Sequence, residues 1–265
     1  AGLAGINVAV SPSSFSLAAG ETKEFMVAFT QVSAPSNAYV GGQLTLSDGT
    51  RNVRIPMVVR PVALAAPASI TAPAAGTSYG VTFGYNGSFT ATALGLVAPS
   101  TSSGTVADDP TDSSCSLTSP NAQTIDVVVP AGTTYARFSL FDADVNPGSD
   151  IDLCVFQGTT QVGGSGSGTS AEEVNLVSPA AATYTVVVQG WGVVGSSPFK
   201  LHTWLLGSAS AGNMTVTAPS SATVGGTGTI GLSFSGLAPG TKYLGSVAYD
   251  GAPNMPNPTI VRVNP

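Results

Sequence analysis

Charge is what this sequence has least of. Only 8% of its 265 residues are Asp, Glu, Lys or Arg, against about 25% in a typical globular chain, so solubility rests on Ser, Thr, Asn and Gly. The eight basic residues are scattered singly and the net charge is −6. That excludes nucleic acid as a partner, because phosphate neutralisation needs clustered Lys or Arg, and it offers nothing to an anionic membrane surface. Long apolar runs are missing as well. The longest, such as PMVV and VVV, fall far short of the roughly 20 residues that cross a bilayer, so no membrane span is expected. The start carries no Met-led leader with a basic and then an apolar region, which reads as a mature protein or a fragment of a longer one. Cysteine is limited to Cys115 and Cys154. A disulfide between them would close a loop worth roughly 3 to 4 kcal/mol by chain entropy and place the protein outside the cytoplasm; the bland alternative is two buried free thiols. The scarcity of Lys and Glu favours the extracellular reading.

What the sequence does have is a period of two. INVAV, EFMVAFT, QLTLSD, VRIPMVV, TIDVVV, ARFSLF, IDLCVF, TYTVVVQG, KLHTWLL, MTVTA, GTIGLSF and YLGSVAY read as short strands rich in Val, Thr and aromatic residues. No window supports a helix of three turns. The 32 Gly and 19 Pro fall between the runs, as turns require. Asp48-Gly49, Asn86-Gly87 and Asp250-Gly251 are hairpin signals, since a type I′ turn needs positive φ at both central positions. The expectation is an all-β protein of tandem antiparallel β-sandwich domains, immunoglobulin/fibronectin III-like and jelly-roll-like. Composition divides it into three blocks: residues 1–62, ending in VRIPMVVRPV; residues 63–207, holding both cysteines; and residues 208–265, a small C-terminal immunoglobulin-like β unit. Each terminal block is small for an independent sandwich and is expected to pack on something else.

Catalysis finds little support. The one histidine, His202 in FKLHTWLL, shares a strand face with Trp204 and Leu206, and a Ser-type triad also needs an Asp on the His and a Ser at an exposed turn. No G-x-S-x-G segment is present, so His202 reads as a strand histidine near an interface or the surface. Zinc is excluded by the same scarcity of His together with the expected disulfide. The acids concentrate in FDADVNPGSDIDLCVF, where Asp142, Asp144, Asp150 and Asp152 crowd into eleven positions with Asn146 between them. As sequence neighbours in a polar loop they lack the asymmetric desolvation that separates a general acid from a general base. Asp142, Asp144 and Asn146 fall at alternate positions and Asp150 and Asp152 on one face of the next strand, the pattern in which loops deliver oxygen ligands to calcium; the bland alternative is a hydrated acidic turn. The helix-loop-helix calcium pattern fails here, because the Gly is displaced by one and no Glu closes the loop. A second acidic run, Asp108, Asp109 and Asp112, is a weaker candidate. Trp191 and Trp204 are candidates for a sugar- or peptide-stacking platform, although aromatics in strands are more often core. Asn86 and Asn213 match the glycosylation tripeptide, as chance allows in a chain so rich in Ser and Thr.

INVAVSPSSFSLAAGETKEFMVAFT followed by YVGGQLTLSDGTRNVRIPMVVRPV resembles the fibronectin type III-like domain that follows the catalytic domain of secreted subtilisin-like serine proteases. ARFSLFDADVNPGSDIDLCVF with GTSAEEVNLVSPAAATYTVVVQGW resembles the pre-peptidase C-terminal domain, a β-sandwich appended to many secreted bacterial proteases. Together the two resemblances cover most of residues 6 to 200. They imply a non-catalytic, extracellular C-terminal region of a subtilisin-like serine endopeptidase, with no triad of its own, whose partners are the protease domain of the same precursor or a companion chain and a protein substrate. They imply a structural calcium ion at the acidic turn, held by Asp142, Asp144, Asn146, Asp150 and Asp152. The strands that usually open the first domain do not precede Ala1, so an N-terminally incomplete first sandwich is expected. The competing expectation is an extracellular adhesion or carbohydrate-binding β-sandwich module.

Overall fold

A computed structural model describes residues 2–265, and its regular secondary structure is strand apart from one 3-10 turn. The first unit is two antiparallel ribbons laid face to face. Ile6–Ser11 pairs with Met26–Gln31, and Val40–Ser47 pairs with Asn52–Val59. The period of two turns Ile6, Leu44 and Met57 inward with Leu3 and Ala34, and only partly buried Val and Ile side chains extend this thin core. Asp48-Gly49 makes the tip of the second ribbon: the Asp48 carboxylate accepts hydrogen bonds from the Thr50 and Arg51 amides at 2.8 and 2.6 Å, and Gly49 takes a φ of 88°.

The central unit has eight strands in two four-stranded sheets. One sheet runs Ser100–Ala107, Ser196–Leu206, Tyr135–Ser139, Glu173–Val177; the other runs Gln123–Val129, Ala182–Gly192, Asp150–Gln157, Thr160–Ser165. The first strand pairs with the last, the second with the seventh, the third with the sixth and the fourth with the fifth. That nested order is a jelly roll. Phe138, Ile151, Leu153, Val186, Val188, Phe199 and Leu201 fill the space between its sheets.

The remaining strands come from both sides of the jelly roll and build a single sandwich. Met214–Thr217, Thr227–Phe234, Thr77–Phe83 and Leu64–Ala65 form one sheet, while Ser69–Ala72, Thr259–Val263, Tyr243–Asp250 and Thr90–Val97 form the other. The order is immunoglobulin-like, with Ser69–Ala72 running parallel to Thr259–Val263. Leu64, Phe83, Phe89 and Leu96 from before the jelly roll share one core with Ile230, Leu232, Val247 and Val261 from after it. A division into blocks 63–207 and 208–265 therefore does not follow the chain's pairing: residues 63–97 and 213–265 are two halves of one domain, and the jelly roll is inserted between its third and fourth long strands. Insertion is geometrically easy because the jelly roll's terminal strands pair with each other, Ser100 opposite Thr203, so its two ends leave side by side.

None of the three turn signals takes the expected type I′ geometry, since Asp48, Asn86 and Asp250 lack a positive φ; the first still closes a tight hairpin, while the other two act differently. Asn86-Gly87 carries the chain from one sheet of the split sandwich to the other, and Gly87 itself pairs with Ala222. Asp250-Gly251 lies between paired strands but opens the longer connection that ends at Thr259. Gly251 is needed there for close approach, since a Cβ would sit 2.1 Å from the Ser88 carbonyl oxygen.

The jelly roll rests on the split sandwich through Tyr135, Trp204, Leu206, Leu244 and Ile260. Trp204 is 3% exposed, and its indole N–H donates to the Lys242 carbonyl at 3.2 Å.

Candidate functional site

The acidic loop joins the two sheets of the jelly roll. A single 3-10 turn at Asp142–Asp144 leads to a Pro147-Gly148 turn, closed by the Ser149 amide donating to the Asn146 carbonyl at 3.1 Å, and then to the strand Asp150–Gln157. The loop divides the five candidate ligands. Asp144 turns toward the strand Ser196–Leu206, where its carboxylate meets His202 Nε2 at 2.8 Å and Lys200 Nζ at 3.5 Å. Asn146 is held on the same strand: its amide donates to the Ser197 hydroxyl at 2.9 Å and its side-chain NH2 to the Ser196 carbonyl at 3.0 Å. Asp142 stays exposed at the loop's edge. Asp150 and Asp152 remain half-buried on the strand, where Ile151 and Leu153 point into the core and the acids point out.

The group that forms around Asp150 and Asp152 includes Glu172, which is 1% exposed and accepts from the Ser165 hydroxyl and, at 2.7 and 2.6 Å, from the Ser167 amide and hydroxyl. Burial, then the charges of Asp150 and Glu172, push the Asp152 carboxyl up to about 6. Burial, then Glu172 and Asp142, also push Asp150 up. Burial pushes Asp144 up too, but the hydrogen bonds and charges of His202 and Lys200 outweigh it and hold that group below the usual carboxylate range. The expectation that a polar loop leaves all its acids alike is thus overturned. The asymmetry comes from the fold, which sets Asp152 in a hollow with Gly166, Ser167 and Trp191 and gives Asp144 two cationic neighbours.

Among the described residues no three His, Cys, Asp or Glu side chains converge in an arrangement that holds a metal ion. The donor chemistry nevertheless suits a hard cation, which takes oxygen ligands. Asp150 Oδ1 is buried without a hydrogen-bond partner, and Asp152 faces Asp150 and Glu172 with no cation paired to it among the described residues. Glu172 was missed by sequence reasoning, although Glu172-Glu173 is the one Glu pair in a nearly uncharged stretch.

Cys115 and Cys154 form a disulfide. It ties the crossing segment 108–122 over the outer face of the second jelly-roll sheet, above Phe156 and Val187. The second acidic run secures this strap. Asp108 accepts from the Val193 amide at 2.8 Å. Asp109, fully buried, accepts from the Thr111 amide and hydroxyl and from the Gln189 side chain at 2.6 Å; the Thr111 hydroxyl chiefly holds its carboxyl low. Asp108 and Asp109 are occupied by the chain's own donors.

The structure does supply His202 with an Asp, and it places Ser139 directly across the strand pair from His202. Ser139 Oγ and His202 Nδ1 are both buried without a hydrogen-bond partner. Among the described residues no hydrogen bond joins the two. His202 instead stacks on Trp204, with ring centroids 5.9 Å apart and an interplanar angle of 19°. The two tryptophans do not share a platform: Trp204 is interface core, while Trp191 is 37% exposed beside Asp152 in a small open hollow. Asn213 uses its side-chain amide to hold Leu96 N and O, at 2.8 and 3.0 Å, whereas Asn86 lies at the surface.

Residues 1–59 match the family of the Fibronectin type-III domain. No curated protein matches the chain. Fibronectin type III-like sandwiches are generally non-catalytic modules, and such modules together with a disulfide are typical of extracellular proteins. No helix among the described residues is long and apolar enough to cross a membrane.

Proposed function

We propose that the chain is the non-catalytic accessory region of a secreted subtilisin-like serine protease, bracing the protease domain and helping to hold protein substrate through surface contact. The observation that supports this most is the tandem of a fibronectin type III match over residues 1–59 and a disulfide-closed jelly roll. Closed, charge-poor sandwiches resist local opening and therefore self-digestion. The experiment is to read the coding sequence upstream of Ala1 for a Ser nucleophile segment with its Asp and His, and to delete residues 1–265 from that parent. Loss of half-life or of activity on large proteins supports the reading; a parent with no protease domain removes it.

Calcium at the acidic turn forms part of this proposal, with its ligand set narrowed. Asp150 and Asp152 would hold the ion, with Asp142 and Glu172 close by, while Asp144 and Asn146 are engaged on the strand Ser196–Leu206. When bound, the ion would neutralise the repelling carboxylates and lock the crossing between the two sheets.

A second reading, a carbohydrate-binding or adhesion module, draws on Trp191, which stands half-exposed next to a carboxylate at the edge of a jelly roll, a fold that lectins also use. Saturable binding of an oligosaccharide, lost in Trp191→Ala and unaffected in Trp204→Phe, would favour it over the protease reading.

A further inference from the structure

Between the two sandwiches lies a cleft of about 410 Å³. The outward faces of Tyr135–Ser139 and Glu173–Val177 meet those of Tyr243–Asp250 and Thr259–Val263, are pinned together by the Trp204 cluster, and part beyond it. The walls are apolar, from Pro67, Val177, Pro256, Pro258 and Ile260. The charged groups among them are Arg137 and Arg262.

Charge is unbalanced here. Arg137, 3% exposed, and Arg262 share a single carboxylate oxygen, Glu173 Oε1, at 3.2 and 2.9 Å, and Asn175 donates to that same atom at 2.8 Å. Two guanidiniums against one carboxylate leave a net +1 in a protein of net charge −6, and no Asp or Glu lines the cleft itself. Arg137 is fixed by Asn175 Oδ1 at 2.8 Å and the Tyr135 hydroxyl at 3.0 Å. Two further donors are buried with no acceptor: Arg262 Nε and the hydroxyl of Ser246, a residue 1% exposed. The register sets Ser246 opposite Ile260 and Leu244 opposite Arg262, so Ser246 and Arg262 are diagonal neighbours on the face that looks into the cleft. Buried polar groups in folded proteins are nearly always paired. A guanidinium N–H and a hydroxyl left open beside an uncompensated cation match the two oxygens of one carboxylate, which guanidinium recognises with directional, charge-assisted bonds.

We propose that this interdomain cleft binds a monocarboxylate carried on an apolar body, with the carboxylate on Arg262 and Ser246 near Arg137 and the apolar part between the proline-rich wall and Val177. The C-terminus of a peptide and a free organic acid share this chemistry. The site sits at a domain interface and has the volume of small-molecule sites, roughly 300 to 1,000 Å³. It is independent of the protease reading, because it uses no residue of the acidic turn or of the fibronectin-like unit.

The test is calorimetric titration of the 265-residue protein with 3-phenylpropionate, 3-phenylpropionamide, and acetyl-Ala-Ala-Phe as the free acid and as its C-terminal amide. Both acids bind saturably and each amide binds at least about tenfold more weakly, the equivalent of one charge-assisted hydrogen bond. Arg262→Gln weakens acid binding by a similar factor, and Ser246→Ala, which removes a buried unpaired hydroxyl and keeps the fold, weakens it as well. Arg51→Gln, on the first unit, changes nothing. Tighter binding of the peptide acid identifies a chain terminus as the natural source, and tighter binding of 3-phenylpropionate identifies a free acid. Equal affinity for acid and amide, no saturable binding by either acid, or full affinity in both Arg262→Gln and Ser246→Ala overturns the proposal.

Discussion

Asp152 is the residue at which the electrostatics of this protein are most exposed to test. Its carboxyl and that of Asp150 are both raised in the folded chain, so the native state holds their protons more tightly than the unfolded state does. Their contribution to stability is therefore fully present below the unfolded value of 3.8 and is lost as pH rises toward about 6. In chelator, Asp152→Asn should melt higher than the parent chain at pH 7, and the two should converge near pH 4. Calcium should then raise the melting temperature of the parent chain at pH 7 and leave Asp152→Asn unmoved. Equal calcium shifts in both proteins would remove Asp152 as a ligand. The acidic cluster itself was legible in the sequence, because four acids in eleven positions stand out in a chain this poor in charge. Its division was not. Asp144 is taken by His202, a partner 58 positions away, and Glu172 joins Asp152 only because the strands fold back on one another; neither contact has a signature in local spacing.

At the scale of single elements, the strap over the second sheet and the strand Ser196–Leu206 matter most. Reducing Cys115–Cys154 releases a loop of 39 residues and should lower unfolding stability by about 4 kcal/mol by chain entropy, measured by urea titration with and without reductant. Truncating Trp204 removes the centre of the interdomain cluster and its bond to Lys242. Trp204→Ala should cost about 3 to 5 kcal/mol and separate one melting transition into two, as the jelly roll and the split sandwich lose their coupling. A single transition at an unchanged temperature would contradict that role. Alternation along FKLHTWLL set His202, Trp204 and Leu206 on one face, because side-chain direction in a strand is fixed by parity; that the other face, with Leu201, is the jelly-roll core came only from the structure. What the Trp204 face packs against could not be read, since nothing local names the partner sheet.

For the whole molecule the insertion of one sandwich into another is the dominant fact. Ser69–Ala72 pairs with Thr259–Val263 across nearly the full length of the second and third blocks, and no composition shift marks such a pairing. The boundary near residue 207 was visible as a Ser- and Gly-rich stretch; it is the exit from the insert, which looks the same in sequence as a linker between independent domains. The consequence is measurable: residues 208–265 alone should be unfolded by circular dichroism. A chain joining 63–98 directly to 207–265 should fold, and the excised segment 99–207 should melt cooperatively by itself. A folded 208–265 fragment would contradict the shared core.

The proposed role is that these sandwiches act by shape and adherence for a protease that does the chemistry. It is tested most directly by comparing kcat/KM of the parent enzyme with and without residues 1–265, on a small chromogenic peptide and on a large protein substrate. The value on the peptide should be unchanged and that on the protein lower; equal values on both substrates in the two enzymes, with equal half-lives, would overturn the role.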